Sequence, residues 1–359
     1  MLQADTGDHR SAGPDPGEGE TEGRGPLAQD EDDIRHFGTL PDGSPVEAVT
    51  IRGGGATAVV LTQGARLQDF RLADVAHPLI LGSPDLTAYL GPMRFFGAIV
   101  GPVANRIAGG RFMLNDRAFA LERNEAGKTT LHGGETGFSQ QNWNVSAVAP
   151  DAVSLQYIRP DGTGGFPGTL DVRARYSLDQ SGCLTLEITA QTDAPTPFAP
   201  AFHGYWDLSG QGDLGAHRLH VHADTYLPVD GDQIPTGRVA PVAETPFDYR
   251  RPRELDPALD HNFCIATEQG PLRPVCQLST SSLSLDVEST EIGLQVHAGG
   301  SLDTRPFPGH DGKPYGPGAG IALEPQFWPD TPNHPTFPNA TLLPGATYRQ
   351  ITRFSARTG

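Results

Sequence analysis

Side chains that alternate between apolar and polar at a period of two constrain this chain more than any other feature. Leu184-Thr185-Leu186-Glu187-Ile188-Thr189-Ala190 alternates strictly, and Leu170-Asp171-Val172-Arg173-Ala174-Arg175-Tyr176 does the same. That period places one set of side chains on a buried sheet face and the other in water. Residues 56–61, 152–157, 282–288 and 293–298 continue the rhythm. Residues 111–114 and 118–121, split by Asn115-Asp116 after the Gly109-Gly110 turn, carry a hairpin signature. No stretch sustains a helical period over several turns. With 44 Gly and 33 Pro in 359 residues, turns are frequent. The pattern predicts an all-β chain built as a large antiparallel β-sandwich. Residues 1–36 are rich in Gly, Pro, Asp and Glu, a composition that cannot bury enough surface to offset ordering, so a disordered acidic tail is expected there. Residues 37–359 are expected to form a single domain.

The formal charge is −17, and about seven of those charges fall in residues 1–35. The body is acidic as well, which offers no electrostatic footprint for nucleic acid or an anionic membrane surface. Cys183, Cys264 and Cys276 show no paired spacing and read as reduced core residues. Neither a membrane-length apolar run nor a secretory leader pattern is present, and a cytoplasmic location is the expectation.

Polar residues interrupt apolar or turn-rich surroundings in five places. These are residues 101–110 around Asn105 and Arg106, 131–134 around His132, 202–208 around His203, 259–263 around Asp260 and His261, and 323–330 around Glu324. Each has a plain structural alternative: a turn histidine, a loop brace, or a strand end before Pro325. Together they supply His, Asp, Glu, Asn and Arg, without a nucleophile elbow, a phosphate-cradling glycine loop or a metal-ligand spacing. No cofactor or metal is called for, although convergence of His132, His203 and His261 on an ion stays open at this level. The chemistry left is acid–base work on a neutral polar ligand. Trp206, Phe327 and Trp328 are available either as faces for a sugar ring or as core.

In order along the chain, these segments resemble the aldose 1-epimerase, or galactose mutarotase, family. The resemblance is carried by residues 105–112, 131–134, 161–168, 226–230, 234–237, 245–248, 260–263, 332–335 and 344–348, and runs from about residue 38 to 355. It implies a large antiparallel sandwich holding a free sugar as substrate, with no cofactor. It makes His203 the general acid and Glu324 the general base. Asn105, Arg106, His132 and Asp260 become the residues that bind sugar hydroxyls. The chain departs from the family pattern at Phe202 and Asp207, where Asn is usual. Either Gln295 or Glu291 occupies a position usually held by Gln. Phe202 is expected to add an apolar wall to the site. These changes flank the site and bear on sugar preference. A monomer or homodimer is expected.

Changing the anomer of a pyranose requires a base for the C1 hydroxyl proton and an acid for the ring oxygen. The ring opens, C1 turns, and closure occurs on the other face. Each group needs to lie about 2.6–3.2 Å from its proton partner in the bound state. Asp207 or Asp260 is expected to favour the imidazolium of His203. Three rivals carry their own requirements. A glycoside hydrolase needs two carboxylates about 5–9.5 Å apart, for which Glu324 and Asp260 qualify by type. A non-catalytic sugar-binding module needs Arg106, His132 and Asp260 but not both His203 and Glu324. A hexose 6-phosphate epimerase needs a basic cluster that the sequence does not offer.

Overall fold

The computed structural model describes residues 33–359. An eight-stranded antiparallel sheet runs in the order Asn144–Ala149, Ala152–Arg159, Leu170–Leu178, Leu184–Thr192, Tyr348–Thr358, Leu283–Ser289, Arg273–Ser279 and Arg218–Val221. The two cleanly alternating segments sit side by side in it, Tyr176 opposite Leu186 and Ala174 opposite Ile188. Their even-numbered residues are buried while Arg173, Arg175 and Glu187 face outward. This one-sided burial is what the alternation requires.

A six-stranded sheet follows the order Tyr205–Trp206, Ile321–Gln326, Gly293–His297, Asp260–Cys264, Thr225–Tyr226 and Ala240–Pro241. The two sheets meet through Phe354 of the first, whose ring lies 5.0 Å from Trp206 and 5.4 Å from Phe202. Burying an aromatic of this size contributes roughly 1.5–3 kcal/mol. One apolar core extends from Val49 to Phe354. Four further strands, Ile34–Thr39, Pro45–Gly53, Ala56–Leu61 and Arg66–Leu72, form a meander. Leu86–Tyr89 is a single helical turn capped by Asp85. Among the described residues, no helix is long and apolar enough to cross a membrane.

The first strand begins at Ile34, inside the segment expected to be tail. Its residues are largely exposed, and it is held by backbone pairing with Pro45–Gly53, so no apolar pattern marked it. The rest of that expectation, residues 1–32, lies outside the described residues. The hairpin falls at Arg111–Leu114 and Arg117–Ala120, with Asn115 and Asp116 both at positive φ (49° and 60°). That is the backbone a two-residue turn between twisted strands needs.

Candidate active site

Glu324 lies inside the strand Ile321–Gln326, not at its end as the following proline suggested. The proline is tolerated because the neighbouring strand Tyr205–Trp206 pairs only with Ile321 and Ala322. No partner there demands an N–H from residue 325. Before Tyr205 the chain turns at Gly204, where a Cβ would come within 2.4 Å of the Phe202 ring. The segment Ala201–His203 then pairs with Ala98–Val100. This switch of partner brings His203 beside Glu324, with Nε2 and Oε1 3.6 Å apart. Both side chains are almost fully buried, His203 at 4% exposure and Glu324 at 2%. Nδ1 of His203 and Oε2 of Glu324 have no hydrogen-bond partner. Buried polar atoms left in that condition are rare and mark a place that a ligand can complete.

Asn105 and His132 flank a two-residue ladder in which Arg106 pairs with Leu131 and Ile107 with Thr130. Both adopt left-handed φ, 60° and 54°, at a cost of order 1–3 kcal/mol each that surrounding contacts must hold. They lock one another: His132 N donates to Asn105 O at 2.9 Å, and Asn105 N donates to His132 Nδ1 at 3.1 Å. A nitrogen that accepts an N–H carries no proton, so neutral His132 keeps its proton on Nε2 and serves as a donor. Gly133 explains the glycine that follows, since a Cβ there would lie 1.9 Å from Gly101 O. The rings of His132 and His203 stand 5.0 Å apart, edge to face.

Ligand atoms of His132, His203 and Glu324 fall within 4.8 Å of one another, but the Nε2–H tautomer of His132 opposes metal ligation through that nitrogen. His261, the third histidine weighed for an ion, instead packs at a tilt against Phe247, ring centres 4.2 Å apart, and lies near Tyr226.

Arg106 is pinned by Glu125, with Nε and Nη2 each 2.8 Å from a carboxylate oxygen. Thr129 Oγ1 donates to the same carboxylate at 2.6 Å. Burial pushes the Glu125 carboxyl up, but the Arg106 and Thr129 donors outweigh it and leave it below its ordinary value. The fork is thereby held, and Nη1 stays outside the pair. Asp260 accepts from Gln295 Nε2 at 2.5 Å and has His297 Nδ1 at 3.8 Å. Asn105, Arg106, Asp260, Asn262 and Gln295 line one cleft. Gln295 also pairs with Glu324 across the sheet, so Gln295, not Glu291, is the residue at the site.

Burial sets the electrostatics. It lowers the His203 imidazole to about 3, assisted by His297 and Arg66. It raises the Glu324 carboxyl well above its usual range, with Asp260 adding to the rise and Arg106 opposing it. Burial, and then His203, hold His132 well below an ordinary imidazole. Both shifts run toward a neutral imidazole facing a protonated carboxyl in the free site. This corrects the expectation of a resident imidazolium. Asp207 turns away into its own loop, where it accepts from Ser209 N, Ser209 Oγ, Gly210 N and Gly212 N. Asp260 accepts from Gln295 through Oδ1, and His297 Nδ1 lies 3.8 Å from its Oδ2 without a hydrogen bond.

Other expectations also change. Phe202 is no wall of the site: alternation along Ala201–His203 points it to the opposite face from His203, against Phe354 and Trp206. Trp206 is fully buried, and Trp328 Nε1 donates to Ile292 O, so these two rings are core. Phe327 is likewise part of the core. Two aromatics stand at the site instead: buried Tyr205, 5.1 Å from the His203 ring, and half-buried Phe95, 4.6 Å from the His132 ring and 5.9 Å from His203. Phe95 sits in the run Met93-Arg94-Phe95-Phe96 just before the strand that pairs with His203. That adjacency was the one signal available for it.

The sequence profile of the aldose 1-epimerase family matches residues 47–355. A galactose mutarotase of Mus musculus is 37% identical over 335 residues, covering 89% of this chain and 96% of that protein. An aldose 1-epimerase of Escherichia coli is 31% identical, covering 88% and 96%. The crystal structure of an aldose epimerase homologue from C. elegans superposes with a TM-score of 0.81 at 26% identity, over 87% of this chain and 98% of that one. A profile match through nearly the whole described sandwich, with relatives aligned almost end to end, makes this chain a member of the aldose 1-epimerase family and an isomerase.

Proposed function

We propose that His203 and Glu324 interconvert the α and β anomers of a free aldose by moving one proton in and out of the pair. The observation that carries the reading is the buried, facing imidazole and carboxylate with one unpartnered atom on each. In the free site the proton rests on Glu324. A bound sugar reverses this: its C1 hydroxyl donates to a carboxylate, and its ring oxygen accepts from an imidazolium, so both contacts favour the ionised tautomer. Glu324 then takes the C1 proton, His203 protonates the ring oxygen, the ring opens, and closure on the other face restores both groups. Each group contributes roughly 10²–10⁴-fold.

Arg106, with its fork fixed by Glu125, donates to vicinal hydroxyls. His132 donates through Nε2–H, Asp260 accepts, and Asn105 holds His132 in place. Phe95 gives an apolar face to the sugar ring. The chain from residue 37 onward acts as one catalytic unit, a reading supported by the shared core. Galactose and glucose are the first substrates to try, since relatives carry the name galactose mutarotase.

The test follows optical rotation of freshly dissolved α-D-galactose and α-D-glucose. Glu324→Gln and His203→Asn are expected to lose at least 100-fold in rate while still binding sugar by calorimetry. A wild-type rate in either variant would remove that residue from the chemistry. Binding without acceleration by the wild-type protein would make it a sugar-binding module.

A further inference from the structure

Between the two sheets, where alternation reserves space for apolar side chains, lie the buried polar groups Glu291, Tyr348 and Gln350, joined at one end by the exposed Gln269. Glu291 sits on the crossing from Leu283–Ser289 of the large sheet to Gly293–His297 of the smaller, and is fully buried. Gln269 Nε2 donates to its Oε1 at 2.5 Å. The Tyr348 hydroxyl lies 3.0 Å from that same Oε1 and 3.1 Å from Gln350 Oε1. Gln350 Nε2 donates to Pro325 O at 3.0 Å. The hydrogen bonds thus start at a buried carboxyl and end on the residue that follows Glu324.

Such a chain is costly to keep. Buried polar groups gain little over well-packed apolar ones of the same volume and lose heavily if one partner fails. Position 350 is an inward position of the strand Tyr348–Thr358, where an apolar residue would serve packing alone. Specifying the position of what it binds is the gain left to it, and what it binds is the Pro325 carbonyl.

The Tyr348 hydroxyl has one proton and two acceptors. An ionised Glu291 takes it, because a charged acceptor is the stronger, and Gln350 is then held through its amide nitrogen only. A neutral Glu291 releases the proton to Gln350 Oε1, and the amide is gripped at both ends. Burial raises the Glu291 carboxyl to about 7, with Gln269, Tyr348 and Arg273 pulling the other way. The groups facing it are Gln269, Tyr348 and, on the strand Arg273–Ser279, Arg273, while Ser289 Oγ accepts from its backbone N. Both forms are therefore populated near neutrality.

We propose that Glu291, Tyr348 and Gln350 are positioning residues that fix the Pro325 carbonyl and so set where Glu324 presents its carboxylate to the sugar. The proposal rests on Glu324 being the general base.

The experiment measures kcat and KM for α-D-galactose mutarotation from pH 5 to 9 in the full-length protein, with Tyr348→Phe, Glu291→Gln and Glu324→Gln. The relay variants are expected to lower kcat three- to tenfold with KM within twofold. The wild-type kcat profile is expected to bend near pH 7, and Glu291→Gln to lack that bend. Gln350→Met keeps the side-chain volume, removes the amide, and gives the same reading if Tyr348→Phe does not fold. Unchanged kcat and profile in folded relay variants, with Glu324→Gln inactive, would overturn the relay alone. A kcat loss matched by an equal rise in KM would overturn it too, as general loosening. Full activity in Glu324→Gln would overturn the base assignment and the relay with it.

Discussion

At the scale of single residues, burial governs the chemistry more than charged neighbours do. The sequence suggested a carboxylate to protonate His203, yet the ring is lowered to about 3 chiefly by burial, and Glu324 is raised by the same cause. The free pair works while it holds one proton. It gains a second as pH falls through the lowered His203 value, and loses its only one as pH rises through the raised Glu324 value. The kcat/KM profile of the free enzyme is therefore expected to be bell-shaped, its acid limb below the ordinary imidazole value of about 6.5 and its alkaline limb above the ordinary carboxylate value of about 4.3. An acid limb at or above 6.5 would contradict it. Arg106 makes a second residue-scale case. Glu125→Gln removes the charged half of the fork, and KM is expected to rise about tenfold with kcat within threefold. An unchanged KM would mean that Arg106 needs no such brace. The types of the site residues were legible because they interrupt apolar runs. Phe95 was not legible, since a phenylalanine beside another phenylalanine reads as core.

At the scale of elements, alternation located the strands with one wet face, the buried Gly293–His297 was also found, and not every remaining strand carried a clear pattern. Ile34–Thr39 is mostly exposed and Ile321–Gln326 is buried throughout, so neither alternates cleanly. The partner switch at Gly204 that brings His203 to Glu324 depends on pairing between distant segments, which no local pattern encodes. The Glu291 crossing shows a second kind of hidden information. Its folded value, about 7, exceeds the unfolded value near 4.3. The folded state thus binds more protons between those values, and stability from this group is present at low pH and lost as pH rises through 7. The loss is of order 3–4 kcal/mol above pH 8. Glu291→Gln is expected to flatten the fall in urea midpoint between pH 4 and 8, the window set by the unfolded value near 4.3 and the folded value of about 7. A fall as steep as in the wild type would place the pH dependence elsewhere.

At the scale of the whole molecule, the two sheets perform separate tasks. The eight-stranded sheet supplies an apolar face, and the six-stranded sheet carries Glu324, Gln295 and Asp260 on three adjacent strands. Phe354 joins the layers, and Phe354→Ala is expected to cost about 3–5 kcal/mol in denaturant unfolding. A cost below 1 kcal/mol would show that the layers do not depend on that contact. The sandwich class was legible from periodicity and turn frequency, whereas its sheet order was not, because order is a property of long-range pairing.

The claim joining these scales is that His203 and Glu324 act as one unit sharing one proton. Mutarotation rates of α-D-galactose for His203→Asn, Glu324→Gln and the double variant test it most directly. Residues acting as a unit are non-additive, so the double variant is expected to be within about threefold of the slower single variant. Losses that multiply, with the double variant slower by the product of the two single effects, would contradict the shared-proton account.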